Sequence, residues 1–221
     1  MSRDQGLLIG ACGWEHAGWD EGFYPGDLPC DWRLGFYANE FPVVLVTQRE
    51  WALGPASAAQ WCEDSDASLQ FVVEWPLEMP VAAAQEKIVP FAQRLVGLLL
   101  RADASWSASR FAAALAPWRE LGVPLCVEFP RGQALAPLQA HLRQSHIGEV
   151  WHGEGTTEAM LFGALAIARV DSAQISDARA LRARVEACLA PGTQGKTLLL
   201  FDGEPPSLAL MRNAAVIRDL L

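Results

Sequence analysis

The sequence predicts one α/β domain of the (β/α)8 barrel class spanning residues 1–221, and three observations carry that prediction. Eight apolar runs of strand length recur along the chain. Helix-patterned or turn-rich stretches separate most of them. The length, 221 residues, suits a single barrel of about 200–250.

The runs are, in order, Leu7–Cys12, Val43–Thr47, Leu69–Trp75, Leu95–Leu100, Pro124–Phe129, Gly148–His152, Ala164–Val170 and Thr197–Phe201. Several are apolar at successive positions, as parallel strands must be when helices cover one face and a packed interior fills the other. Between them, Val81–Gln93, Ala108–Glu120, Ala136–Arg143 and Asp177–Leu189 carry apolar residues at three- and four-residue spacings, and Ser207–Leu221 reads as a closing helix. The linkers from Val43 to Leu69 and from His152 to Ala164 are thin, which predicts abbreviated units two and six. The alternative is a doubly wound open sheet. It would announce itself by a Gly-rich turn after the first strand, and Gly10-Ala11-Cys12-Gly13-Trp14 lacks the remaining glycine.

Composition narrows the function classes. Half of the residues are hydrophobic, enough for a large core, and the net charge of −9 repels a phosphate backbone and so disfavours nucleic-acid binding. The polar opening, Met1 to Gly6, followed by a six-residue apolar run, predicts neither a signal peptide nor a membrane span. Five scattered cysteines (Cys12, Cys30, Cys62, Cys126 and Cys188) without a Cys-x-x-Cys pair fit free thiols rather than a disulfide frame or a zinc site. A soluble cytoplasmic protein without a membrane partner is therefore expected.

In a (β/α)8 barrel, functional side chains stand at the C-terminal strand ends and in the loops after them. Those positions hold Gly13, Trp14, Glu15, His16 and Trp19 after strand one; Thr47, Gln48 and Arg49 after strand two; and Glu74 and Trp75 at strand three. Arg101 and Asp103, Glu128 and Arg131, His152 and Glu154, Arg169 and Asp171, and Asp202 and Glu204 follow for strands four to eight. Acids and arginines thus converge on one face.

Some of these residues carry a family resemblance. Gly10-Ala11-Cys12-Gly13-Trp14, then Trp19 and Gly22-Phe23-Tyr24-Pro25, resembles the opening of the domain-of-unknown-function 72 (YecE-like) family. Phe36-Tyr37-Ala38 with Phe41, Val127-Glu128-Phe129, Ile167-Ala168-Arg169-Val170, and Phe201-Asp202 with Asn213-Ala214 are similar to later family segments, in the same order. The resemblance implies a TIM-type barrel and no settled activity. It identifies a divergent member. The lysine expected near the end of strand three is Glu74, a Gln-Leu-Pro at strand four is Arg101-Ala102-Asp103, and a histidine and glycine after the strand-seven arginine are Asp171-Ser172.

Glu128, Asp171 and Asp202 are the candidate catalytic carboxylates, and Trp14, His16, Trp19 and Arg169 the candidate ligand-binding residues. Glu128 and Arg169 suit polarising a polar substrate or pairing with each other. Asp171 and Asp202 suit acid–base work or holding a divalent cation, with helix capping or a solvated position as the structural alternative. His16 suits a general base walled by Trp14 and Trp19, with Trp51 and Trp75 as further candidate pocket aromatics, while Trp32, Trp61, Trp106 and Trp118 suit packing of helices on the barrel. His152 with Glu154 is only a fragment of a metal site, so no metal is assigned and the cofactor is left unknown. Ser105, Ser107 and Ser172 lack a nucleophile-elbow context, and Gly195-Lys196-Thr197 lacks the upstream phosphate-loop glycine. The expected function is binding or processing of a small polar or carbohydrate-like ligand in a polar and aromatic pocket. The alternatives are a non-catalytic binding barrel and, more remotely, a metal-dependent nuclease-like barrel; whether the chain is an enzyme stays open.

Overall fold

A computed structural model of the chain describes residues 6–20, 22–52, 55–103, 106–130, 136–154, 161–190 and 195–221. Eight strands run Leu7–Cys12 (β1), Val43–Val46 (β2), Gln70–Pro76 (β3), Leu95–Arg101 (β4), Leu125–Glu128 (β5), Gly148–Glu149 (β6), Leu165–Asp171 (β7) and Lys196–Asp202 (β8). All pair in parallel in the order β6-β5-β4-β3-β2-β1-β8-β7. The circle closes just beyond β6, where the Trp151 N–H donates to the Ile167 carbonyl and the Trp151 carbonyl accepts from the Arg169 N–H, both at 2.9 Å. Eight parallel strands in this order make a (β/α)8 barrel, and each expected strand lies within two residues of an observed one except the sixth. There the regular ladder shrinks to Gly148–Glu149 plus the single bridge at Trp151.

Helices Arg33–Ala38 (α1), Gln48–Trp51 (α2), Pro55–Asp64 (α3), Val81–Ile88 (α4), Ala108–Arg119 (α5), Ala136–Gln144 (α6), Ala178–Leu189 (α7) and Leu208–Leu220 (α8) surround the strands. Unit two is not abbreviated, contrary to the thin linker: α2 and α3 fill it. The Thr47 hydroxyl and N–H both reach the Glu50 carboxylate, so a capping box starts a helix that the weak apolar pattern hides. Between β6 and β7 the described residues form no helix. The helix expected over Val81–Gln93 stops at Ile88 and continues as a 3-10 segment, Val89–Arg94, because Pro90 supplies no N–H and Ala92 turns to φ 45°.

Strand parity builds two cores. One set of side chains (Val43, Leu45, Val72, Leu99, Cys126, Ile167 and Leu200 among them) fills the barrel interior. The opposite parity packs under the helices. In α5, Ser107 caps the start and Phe111, Leu115 and Trp118 recur on one buried face; burying a ring such as Phe111 is worth roughly 1.5–3 kcal/mol. Tyr37 locks the first two strands together: its hydroxyl accepts from the Ala11 N–H and donates to the Val43 carbonyl, each at 2.8 Å. Gly10 admits this close approach, since a Cβ there would stand 1.9 Å from the Val43 oxygen.

Candidate functional site

The polar ring at the barrel mouth follows from the interior pattern by a step of two residues. Glu74, Arg101, Glu128, Arg169 and Asp202 each lie two positions beyond an interior apolar residue (Val72, Leu99, Cys126, Ile167 and Leu200), and His152 lies two beyond Val150. Side chains of equal parity point inward, so the sixth-strand and neighbouring polar groups share one aperture. They meet at Arg169, whose side chain is 16% exposed.

The Arg169 guanidinium bridges three strands. Nη1 donates to Glu128 Oε2 at 3.0 Å and lies 3.4 Å from Glu74 Oε2, while Nε and Nη2 reach Asp202 Oδ2 at 2.9 Å. Burial by itself would lower its pKa, yet the Glu128, Asp202 and Glu74 carboxylates hold that pKa well above the ordinary arginine value. The guanidinium is a permanent cation. The Cys12 thiol is pushed well up by burial, against the pull of Arg169, and stays protonated.

Around this centre, Arg101 contacts Glu74 at 3.4 Å and Glu128 at 3.7 Å, and its side chain is 55% exposed. These distances are too long for strong charge-assisted bonds, which leaves guanidinium donors facing the opening. His152 Nε2 sits 3.5 Å from Glu128 Oε1, an ion pair when the imidazole is protonated. Asp171 is half-buried and caps the turn after β7 by accepting from the Ala173 N–H at 2.9 Å. A cleft of about 470 Å³ opens above these groups, lined by Arg101, Glu128, His152, Arg169, Asp171 and Asp202 together with Phe129, Pro130 and the Gly203–Glu204 turn. That volume lies within the range of small-molecule sites.

The structure therefore brings together Glu128, Arg169, Asp171 and Asp202. The aromatic candidates go elsewhere. Trp14 is 2% exposed, standing edge-on to Trp61 of α3 at 5.0 Å, with its carbonyl accepting from the Tyr24 hydroxyl. Trp19 is equally buried, stacked on Tyr37, and donates its indole N–H to the Pro206 carbonyl. Trp75 has outward parity next to Glu74 and stacks with Trp51, which donates to the Glu74 carbonyl. The expected aromatic wall is thus absorbed by packing, and the cleft is polar. Trp32, expected to pack a helix on the barrel, is 63% exposed.

His16 is buried beside the mouth rather than in it. Its Nε2 donates to the Cys12 carbonyl at 3.0 Å, so its Nδ1 faces the exposed Glu204 at 3.9 Å. Arg131, also expected at the mouth, lies outside the described residues. Glu74 and Arg101, which strand-end position alone does not single out as catalytic or ligand-binding, also join the ring. The two pair across neighbouring strands at 3.4 Å, and the two-residue step from the interior residues is the signal that finds them. Among the described residues no group of three or more His, Cys, Asp or Glu side chains is arranged to hold a metal ion, and no helix is long and apolar enough to cross a membrane.

The sequence profile described as "Protein of unknown function DUF72" matches residues 8–147, more than half of the 221, and the chain belongs to that family. No curated protein matches it. Among solved structures, 3-keto-L-gulonate-6-phosphate decarboxylase from Vibrio cholerae superposes with a TM-score of 0.53 at 11% identity, covering 96% of each chain. The 3-hexulose-6-phosphate synthase from Salmonella typhimurium gives a TM-score of 0.52 at 9% identity, over 82% of this chain and 88% of that one. At such identities the likeness is one of fold alone.

Proposed function

We propose that this member of the family binds a small, polar, carbohydrate-like ligand in the cleft at the C-terminal face of the barrel. The observation behind this reading is the convergence of Glu128, Asp202 and Glu74 on one partly buried guanidinium at the floor of an open cleft of about 470 Å³. Fixed ion pairs hold their atoms in place without a ligand, so hydrogen bonds to a substrate form with little further ordering cost. The free lone pairs of Glu128 and Asp202 accept from hydroxyls, and the exposed face of Arg101 donates to ring or carbonyl oxygens. If chemistry follows binding, the His152–Glu128 pair is the proton-handling element, because the carboxylate orients and stabilises an imidazolium.

One observation favours a second reading, a binding barrel without catalysis: the mouth carboxylates are already matched by Arg169 and Arg101, as in a structural ion-pair network. The nuclease-like alternative gains nothing from the site, since Asp171, Asp202 and Glu204 would repel a phosphodiester.

Thermal unfolding against a panel of sugars, amino sugars, sugar phosphates, polyols and organic acids tests the proposal. A ligand at a hundred times its Kd adds about 2.7 kcal/mol, or roughly 5–11 °C for a chain of this length. The expected result is a shift with a hydroxylated member that Glu128→Gln and Asp202→Asn each abolish. A panel in which nothing shifts overturns the reading. A confirmed ligand that undergoes no chemical change over hours with the parent protein selects the binding-only form.

A further inference from the structure

Of the nine tryptophans, eight are buried or half-buried, and Trp32 alone is exposed, with 63% of its surface open. An indole in water forfeits most of the free energy that burial would give it. The frame beneath it is firm. Trp32 closes the 3-10 turn Cys30–Trp32, and the next residue, Arg33, is pinned to Asp20 at 2.7 Å and laid over the Tyr24 ring. From there α1 continues with Leu34 and Tyr37 buried in the core. Trp32 walls a concavity of about 590 Å³ between α1 and the end of α3, which shares no lining residue with the barrel mouth. Leu28 and Phe36 extend its apolar side, and Asn39, Asp64 and Asp66 form its polar side. The floor is bare at Gly35, where a Cβ would stand 2.6 Å from the Asp64 carbonyl oxygen. The polar side consists of acceptors with capacity left. The Asn39 amide N–H donates to the Gly35 carbonyl at 3.1 Å, Asp64 accepts from the Gln60 side chain, and Asp66 accepts from the Ser68 N–H. Among the described residues no lysine or arginine lines the concavity. Arg94, whose charge reaches Asp66, spends its donors on the Leu69 and Cys62 carbonyls and the Ser65 hydroxyl.

We infer that this concavity is a second ligand site, separate from the barrel mouth, and that it takes a neutral pyranose stacked on Trp32. The inference stands whatever the mouth binds. Its ligand class follows from how the apolar and polar groups are arranged. A pyranose with equatorial hydroxyls carries C–H groups on its faces and hydroxyls around its edge. The C–H hydrogens meet the electron-rich face of the indole, Leu28 and Phe36 extend the contact, and edge hydroxyls donate to the Asn39 carbonyl oxygen and the Asp64 and Asp66 carboxylates. A phosphorylated sugar would meet two carboxylates and no cation. An organic cation is the nearest competitor, because a tryptophan face attracts one. Both carboxylates are exposed, however, so water and salt screen their pull on a cation, whereas stacking is short-ranged and escapes that screening.

Acrylamide quenching of tryptophan fluorescence reads the site directly, because Trp32 is the most exposed indole in the chain. Methyl β-glucoside, cellobiose and maltose are titrated against the parent protein, Trp32→Ala and Trp32→Phe, with calorimetry giving the affinities and sedimentation velocity the oligomeric state. Glucitol keeps the hydroxyls of the sugar without its flat face, and tetramethylammonium is a cation without a hydroxyl edge. Trp32 is exposed and its side chain caps nothing, so both variants keep the fold and Tm, which circular dichroism checks. The glucosides are expected to shield Trp32 from the quencher and to bind about tenfold more tightly than glucitol, with Trp32→Ala losing about tenfold and Trp32→Phe retaining most of the affinity. Absence of binding by all three glucosides overturns the inference, as does glucitol binding as tightly as they do. Tighter binding of tetramethylammonium overturns it in favour of a cation site. A dimer that Trp32→Ala dissociates overturns it too, since a second copy then covers this face. Glucoside binding that survives Trp32→Ala but disappears in Glu128→Gln belongs to the mouth; it overturns the second site and leaves the reading of the mouth standing.

Discussion

Replacing Arg169 by methionine probes the centre of the mouth. Methionine keeps most of the buried stem and deletes only the guanidinium. The change leaves Glu74, whose side chain is 4% exposed, and Glu128, 11% exposed, without their principal cation. Asp202, with 36% of its side chain exposed, recovers much of its loss from water. Arg101 does not substitute, because it stands 3.4 and 3.7 Å from the two glutamates on a side chain that is more than half exposed. Removing one partner from a buried ion pair costs about 3–5 kcal/mol, and the three contacts share one guanidinium, so the cost is counted once rather than three times. For a domain of this size that lowers Tm by about 6–20 °C. Urea unfolding at pH 7, with the midpoint and slope compared to the parent, measures it. In the Arg169→Met background, Glu74→Gln is expected to restore about 1–3 kcal/mol by removing one uncompensated buried charge. If Arg169→Met lies within about 1 kcal/mol of the parent, or if the double variant is less stable than the single one, the ring is not held together by its central cation and the reasoning fails.

Three further outcomes follow from the same structure. Tyr37→Phe strands the buried Ala11 N–H and weakens the tie to the Val43 carbonyl, so urea unfolding should show a loss of about 2–4 kcal/mol, and a loss below about 0.5 kcal/mol would mean that water or backbone shifts replace the hydroxyl. Gly10→Ala places a methyl group 1.9 Å from the Val43 oxygen and must separate β1 from β2; soluble protein with parental Tm would contradict that contact. Burial raises the Glu149 pKa, against the hydrogen bond from Gln139 and the charge of Arg143. Between the ordinary glutamate range and that raised value the folded state binds more protons than the unfolded one, so ionised Glu149 lowers stability at neutral pH and the penalty vanishes as pH falls through the folded pKa. Glu149→Gln should therefore exceed the parent in stability at pH 7 and converge with it at pH 4, as followed by urea midpoints across pH; a gap that widens on acidification refutes the assignment.

The barrel was legible in the sequence because a parallel strand buried on both faces is written as a continuous apolar run, and eight such runs stand in the chain. α5, α7 and α8 were legible for the matching reason, a 3.6-residue apolar stripe behind a Ser or Asp cap. α2 and α3 were not, because a capping box and two short segments leave too little periodic signal. For the site, strand-end position alone pointed to Glu128, Arg169, Asp171 and Asp202. The tryptophans show the limit of that rule: being near a strand end places a residue at the mouth only when its parity points inward, and Trp14 and Trp19 follow the strand in a loop that folds back under α1 and α3. The sequence by itself determined which polar residues fall on the inward parity at each strand end. Only the tertiary structure decided that six strands deliver Glu74, Arg101, Glu128, His152, Arg169 and Asp202 to one aperture, because ion-pair partners up to 95 residues apart meet through the curvature and register of a closed sheet, which no local pattern encodes.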